Sequence, residues 1–95
     1  MGKEYEIKCS SFAISKFDDF VRNSSFFESY DSENKIYSLK MSNAENEWPD
    51  GCAKIYGSSI YFCDYMTSTF EIALIFKQIV DHAVLLSESI EITEP

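Results

Sequence analysis

Hydrophobic periodicity in this chain switches repeatedly between two and three-to-four residues, and the order of the switches confines it to one kind of architecture. Residues 4–9, EYEIKC, alternate: Tyr5, Ile7 and Cys9 share one side, Glu4, Glu6 and Lys8 the other. Period two is the mark of a strand with one buried face. In the following SSFAISKFDDFVRNSSFF, Ala13, Phe17, Phe20 and Val21 recur at spacings of three and four, as the inward stripe of a helix does. Ser15 and Asp18 are spaced as a capping pair, and the helix is expected to end near Asn23–Ser25. Phe26 and Phe27 then lead the chain back towards a sheet. NKIYSLKM alternates again, with Tyr37, Leu39 and Met41 on one side, and a polar loop from Ser42 to Cys52 follows. CAKIY and IYFCDY, joined at Gly57-Ser58-Ser59, read as a hairpin. Ser68 with Glu71 forms a capping box for a helix over about residues 69–86, and SIEIT closes the chain as a short strand.

The resulting order is strand, helix, three strands, helix, strand. An α+β fold satisfies it: a mostly antiparallel sheet of four to five strands with two helices on one face, close to the ferredoxin-like order. Ninety-five residues make a single domain over 1–95, with one core and little room for a deep cavity. The second helix, TFEIALIFKQIVDHAVLL, is expected to turn Phe70, Ala73, Leu74, Val80, Ala83 and Val84 inward, with Lys77 at the border. Ile72, Ile75, Phe76, Ile79 and Leu86 widen its apolar arc beyond one face. Part of that arc is a candidate homodimer surface, which would be two-fold and self-complementary.

Sixteen acids oppose eight bases, for a net charge of −8. Phosphate binding needs clustered Lys and Arg, so this balance argues against nucleic acid and anionic membrane, and favours a basic protein partner. Cys9, Cys52 and Cys63 form neither an even set nor a close-spaced pair, which fits a reducing cytoplasm better than a disulfide framework. Neither they nor the single His82 have the spacing of a structural zinc site. With three glycines there is no phosphate-cradling loop, and no cofactor is expected. His82 and a thiol would need a shared pocket to act as a catalytic pair. Cys9 and Cys63 lie in apolar strands, where an inert thiol is the rule, so no catalytic residue is assigned.

The sequence concentrates its acids. Residues 28–50 hold six of them against Lys35 and Lys40. Glu45, Glu47 and Asp50 surround the only tryptophan, Trp48, and Asp31 and Glu33 belong to a second acidic loop with Glu28. Trp48-Pro49-Asp50-Gly51 reads as a turn. Tryptophan dominates binding energy where it anchors an interface, and surrounding carboxylates would steer a cationic partner towards it. Tyr61, Asp64 and Tyr65 on the neighbouring hairpin extend the expected patch, provided they face outward.

In the segments EWPDGCAKIY, GSSIYFCDYMT and STFEIALIFKQIV, and in its β-α-β-β-α-β layout, this acidic, Tyr- and Phe-rich chain resembles immunity proteins. These are the inhibitors paired with bacterial toxins in contact-dependent growth inhibition and polymorphic toxin systems. The resemblance implies a non-enzymatic inhibitor that binds one toxin domain in the cytoplasm. Many such toxins are nucleases with basic clefts, which the net charge would suit. An acidic nucleic-acid mimic directed at a nuclease or DNA-binding protein, a small ferredoxin-like enzyme with a titratable residue in a pocket, and a small homo-oligomeric ferredoxin-like regulatory domain are the alternatives the same residues allow.

Overall fold

The computed structural model describes residues 3–41, 49–66 and 70–94. In chain order its elements are β1 (Lys3–Lys8), α1 (Ser11–Arg22), β2 (Phe27–Asp31), β3 (Ile36–Leu39), β4 (Gly51–Tyr56), β5 (Ser59–Asp64), α2 (Phe70–Leu85) and β6 (Glu91–Thr93). The fold is α+β, as the periodicity predicts. One six-stranded sheet runs β2-β3-β4-β5-β1-β6, and every neighbouring pair is antiparallel. β6-β1-β5-β4 keep the strand order of a split β-α-β arrangement, which β3 and β2 extend on one side.

The sixth strand is β2, which the sequence reading passed over. Its register shifts between Phe27 and Ser29, so Phe27 pairs with Leu39 while Tyr30 pairs with Tyr37. A bulge of this kind moves the two apolar side chains three residues apart and erases the period of two that marks a strand.

α1 starts one turn earlier than the Ser15–Asp18 pair suggests. Its N-cap is Ser10, whose Oγ accepts from the Ala13 N–H at 3.0 Å and donates to the Leu86 carbonyl at 2.6 Å. Ser15 lies inside the helix and donates to the Phe12 carbonyl. Ala13, Phe17 and Val21 are buried as their spacing requires.

α2 buries a different face from the expected one. Ile72, Ile75, Ile79, His82 and Ala83 point inward, whereas Phe70 is 70% exposed and Val84 50%. A helix that is apolar on most sides has no unique stripe, so periodicity alone cannot choose its orientation. The buried face packs into the common core, and at its start Ile72 lies close over Gly51: a Cβ there would be 2.8 Å from Ile72 Cδ1 and 2.5 Å from the Cys63 carbonyl oxygen.

Phe17, Val21, Ile72, Ile75, Ile79 and Ala83 share one core with Ile7, Tyr37, Leu39, Ala53, Ile60 and Phe62. The registers place those strand residues on one side of the sheet, with Ala53 opposite both Tyr37 and Phe62 and Ile7 opposite Ile60. Both helices therefore pack on the same face. His82 joins them: its Nε2–H donates to the Ala13 carbonyl at 2.9 Å, and its ring stacks on Phe20 at 4.5 Å.

Candidate functional site

Alternation that sends Ile, Phe and Leu towards the helices sends a different set of side chains to the other side of the sheet. One row across that side reads Asp31, Ile36, Lys54, Tyr61, Glu6 and Thr93. A second reads Ser29, Ser38, Cys52, Cys63 and Glu4, and a third Tyr56, Ser59, Lys8 and Glu91. Among the described residues, no helix covers this face.

Its centre, on β4 and β5, is aromatic. Tyr56 is 67% exposed, and its ring meets that of Tyr61 edge-on at 5.8 Å, the two rings and Lys54 bounding a shallow hollow of about 190 Å³. A second hollow, of about 170 Å³, lies between Glu4, Ile36, Cys52, Lys54, Tyr61 and Cys63. Tyr65 continues the outward side of β5, and its hydroxyl lies against the Cys52 thiol. That contact, with burial, raises the phenol well above its ordinary pKa. Carboxylates stand on the flanking strands: Asp31 on β2, Glu4 and Glu6 on β1, Glu91 on β6. Glu6 Oε2 is anchored by the Ser59 hydroxyl at 2.7 Å.

The structure divides the patch expected from sequence. Glu45, Glu47 and Trp48 lie outside the described residues. Asp31 lies on the open face of the edge strand, and its carboxylate accepts from the Glu33 N–H, the Asn34 N–H and the Asn34 Nδ2 amide in the β2–β3 turn. Those hydrogen bonds, that of Asn34 foremost, lower its pKa. Glu33 is exposed in the same turn. Asp64, Tyr65 and Asp50 gather at the opposite end of the strands, where the Tyr65 N–H donates to the Asp50 carbonyl at 3.1 Å. The two groups are thus separated along β3 and β4 by about 10 Å of strand rise.

Asp50 departs from the expectation. It is 1% exposed, and its Oδ2 accepts from the Met41 N–H at 2.8 Å while its own N–H donates to the Leu39 carbonyl at 2.9 Å. A buried carboxylate persists where backbone donors satisfy it, so Asp50 holds the end of β3 against the start of β4. Asp64 similarly accepts from the Met66 N–H. Tyr61 faces outward on β5, in the row of Lys54. Tyr56, which the sequence reading did not single out, sits on the same outward phase of β4 as Lys54 and Cys52.

Burial raises the Cys9 thiol, and burial together with neighbouring Cys52 pushes Cys63 up to about 11. His82 is spent on the helix contact. The larger hollows, about 630 Å³ beside Ser10, Ser87 and Glu88 and about 310 Å³ over Phe20 and His82, are open surface grooves. In the first, the Ser10 hydroxyl is already engaged by Leu86 and Ala13.

No family model, curated protein or solved structure matches the chain.

Proposed function

We propose that this chain is a non-enzymatic binding protein, of the immunity type, that neutralises a cognate bacterial toxin domain in the cytoplasm. Its docking surface is the open sheet face, and its partner is a basic protein domain, in the first instance a nuclease. One observation carries the reading: Tyr56, Tyr61 and Tyr65 run along the two central strands of a sheet face that no helix covers among the described residues, and carboxylates stand on the strands either side. Interfaces are built this way, with aromatic anchors at the centre and a polar rim around them. The carboxylates are also available. The ion pairs among the described residues, Arg22–Asp18 at 2.8 Å and Lys77–Asp81 at 2.9 Å, are both local helix pairs on the far side. Asp31, Glu4 and Glu91 are in neither, so their charge is directed at whatever approaches.

The test is co-purification with the product of the neighbouring reading frame, followed by association kinetics across a salt series. An acidic rim predicts an association rate that falls steeply with ionic strength. Tyr61→Ala should weaken binding by about 2 kcal/mol, as loss of an aromatic anchor does. Salt-independent association together with unchanged affinity in Tyr61→Ala and Trp48→Ala would remove the proposal.

A further inference from the structure

We propose that Cys52 and Cys63 form a reversible thiol–disulfide site on the open sheet face, whose reactant is a low-molecular-weight disulfide of the glutathione class. The two cysteines are directly opposed across β4 and β5. Opposed residues of an antiparallel pair have Cα atoms about 4.5–5.5 Å apart. A disulfide spans Cα separations of about 4.4–6.8 Å, so the backbone already holds the pair within bridging range. The two thiols are close enough in the reduced protein for Cys52 to contribute to the raised pKa of Cys63. Both are only partly buried, on the face no helix covers, so a small disulfide can reach them. Cys9 serves as an internal control. It lies beyond the end of β1, with its N–H donating to the Ser58 carbonyl, and neither other cysteine is its partner in register.

The chemistry is exchange through a mixed disulfide. The thiolate of one cysteine attacks oxidised glutathione, breaks its S–S bond and releases one glutathione thiol. The opposed cysteine then displaces the second glutathione and closes the Cys52–Cys63 bond. The protein gives up two electrons and two protons in all, and oxidised glutathione is reduced to two thiols. Burial of Cys63 keeps it protonated at neutral pH, which slows attack by that thiol. Opposed Cβ atoms stand about 4.5–5.5 Å apart, against about 3.5–4.5 Å in a relaxed disulfide, so closure draws the strands inward and leaves a bond that is easily reduced. Closure also takes the Cys52 thiol away from the Tyr65 hydroxyl. The consequence for docking rests on the binding reading above; the thiol site itself does not.

The experiment uses the isolated full chain, so its outcome is independent of any partner. The folded protein is equilibrated with oxidised and reduced glutathione at a series of ratios, alkylated, digested and mapped by mass. The expected product is an intramolecular Cys52–Cys63 disulfide with Cys9 still alkylated, reversed by excess reduced glutathione. Cys52→Ser and Cys63→Ser should each stop at a glutathione adduct on the remaining member of the pair. In the oxidised protein, the alkaline absorbance titration should show one tyrosine moved down towards the ordinary phenol range, a change Tyr65→Phe abolishes. A disulfide that involves Cys9, or stable adducts on Cys52 and Cys63 without closure in the unsubstituted chain, would overturn the proposal.

Discussion

The two faces of the sheet are written by the same strands and differ in almost every chemical respect. The covered face carries Ile7, Leu39, Ala53, Ile60 and Phe62, none more than 1% exposed. The open face carries Tyr56, Tyr61, Lys54, Glu4, Glu6 and two thiols. Neighbouring residues of one strand, such as Tyr61 and Phe62, therefore answer to different constraints. The covered face has to match α1 and α2 in volume. The open face has only to stay soluble and pair across strands, which leaves its tyrosines free for another role. The lesson is that stability and function in this chain separate by strand phase more than by segment.

The largest effects are expected where the covered face is cut. Phe62 is 1% exposed and packs against Phe76 at a ring distance of 5.1 Å. Phe62→Ala should cost about 3–5 kcal/mol in a urea titration, through lost burial and the cavity left behind. Tyr61→Ala, one residue away on the other face, should cost well under half of that. Equal losses at the two positions would mean that the open face is not open. Gly51→Ala attacks the same core by overfilling it. Its Cβ would meet the Cys63 carbonyl, which cannot retreat without moving β5, and Ile72 Cδ1, which would have to swing aside. A loss of about 1–3 kcal/mol is expected.

The strand phases were legible because Tyr5, Ile7, Tyr37 and Leu39 alternate without interruption. α1 was legible for the same reason at period 3.6. β2 was hidden because its bulge puts Phe27 and Tyr30 out of phase with a strand. The face α2 presents was hidden because nearly all its faces are apolar, and the packing that selects one is between distant segments. Asp50 misled in the opposite way. An acid in a polar, acidic loop reads as solvent-exposed, yet the unpaired N–H of Met41 draws it inside. Of the expected docking residues, Asp31, Tyr61 and Tyr65 do lie on the open face, but the arrangement of Tyr56 and Lys54 around Tyr61 depends on which strands become neighbours. No local pattern contains that information.

Intermediate effects should appear with pH, and they again differ between faces. Tyr37 belongs to the covered side, where burial and donation of its hydroxyl to Asp18 at 2.7 Å raise its pKa above 10.0. Tyr65 is raised on the open side by Cys52 and by burial. A phenol whose folded pKa is raised keeps its proton where the unfolded chain has lost it. The stability it contributes is whole below pH 10 and is lost as pH climbs beyond it. Asp18, lowered chiefly by Arg22 and then by Tyr37, works at the other limb: its contribution is present above pH 3.8 and is lost as pH falls below that. Urea midpoints measured across pH should therefore fall at both ends. Tyr37→Phe should flatten the alkaline limb and shrink the acid one, because Asp18 loses a donor. Tyr65→Phe should flatten the alkaline limb alone. If both variants change both limbs alike, the two phenols do not sit in separate environments.

The smallest expected effect on stability falls on the most exposed part of the open face, Tyr56. Tyr56 is 67% exposed, and its one aromatic contact among the described residues is the edge-on meeting with Tyr61. Surface substitutions of this kind usually shift stability by about 0.5 kcal/mol or less, and loss of an exposed ring pair adds a comparable amount. Tyr56→Ser should therefore unfold in urea within about 1 kcal/mol of the parent, with an unchanged slope. Such a residue contributes little to holding the sheet together, yet it exposes a large ring beside Lys54 and Tyr61. A change well above 1 kcal/mol would show that the tyrosines brace β4 against β5, and the division of labour between the two faces would fail at its most exposed point. A change near zero, with a loss of partner affinity in the same variant, would separate the two roles within a single strand.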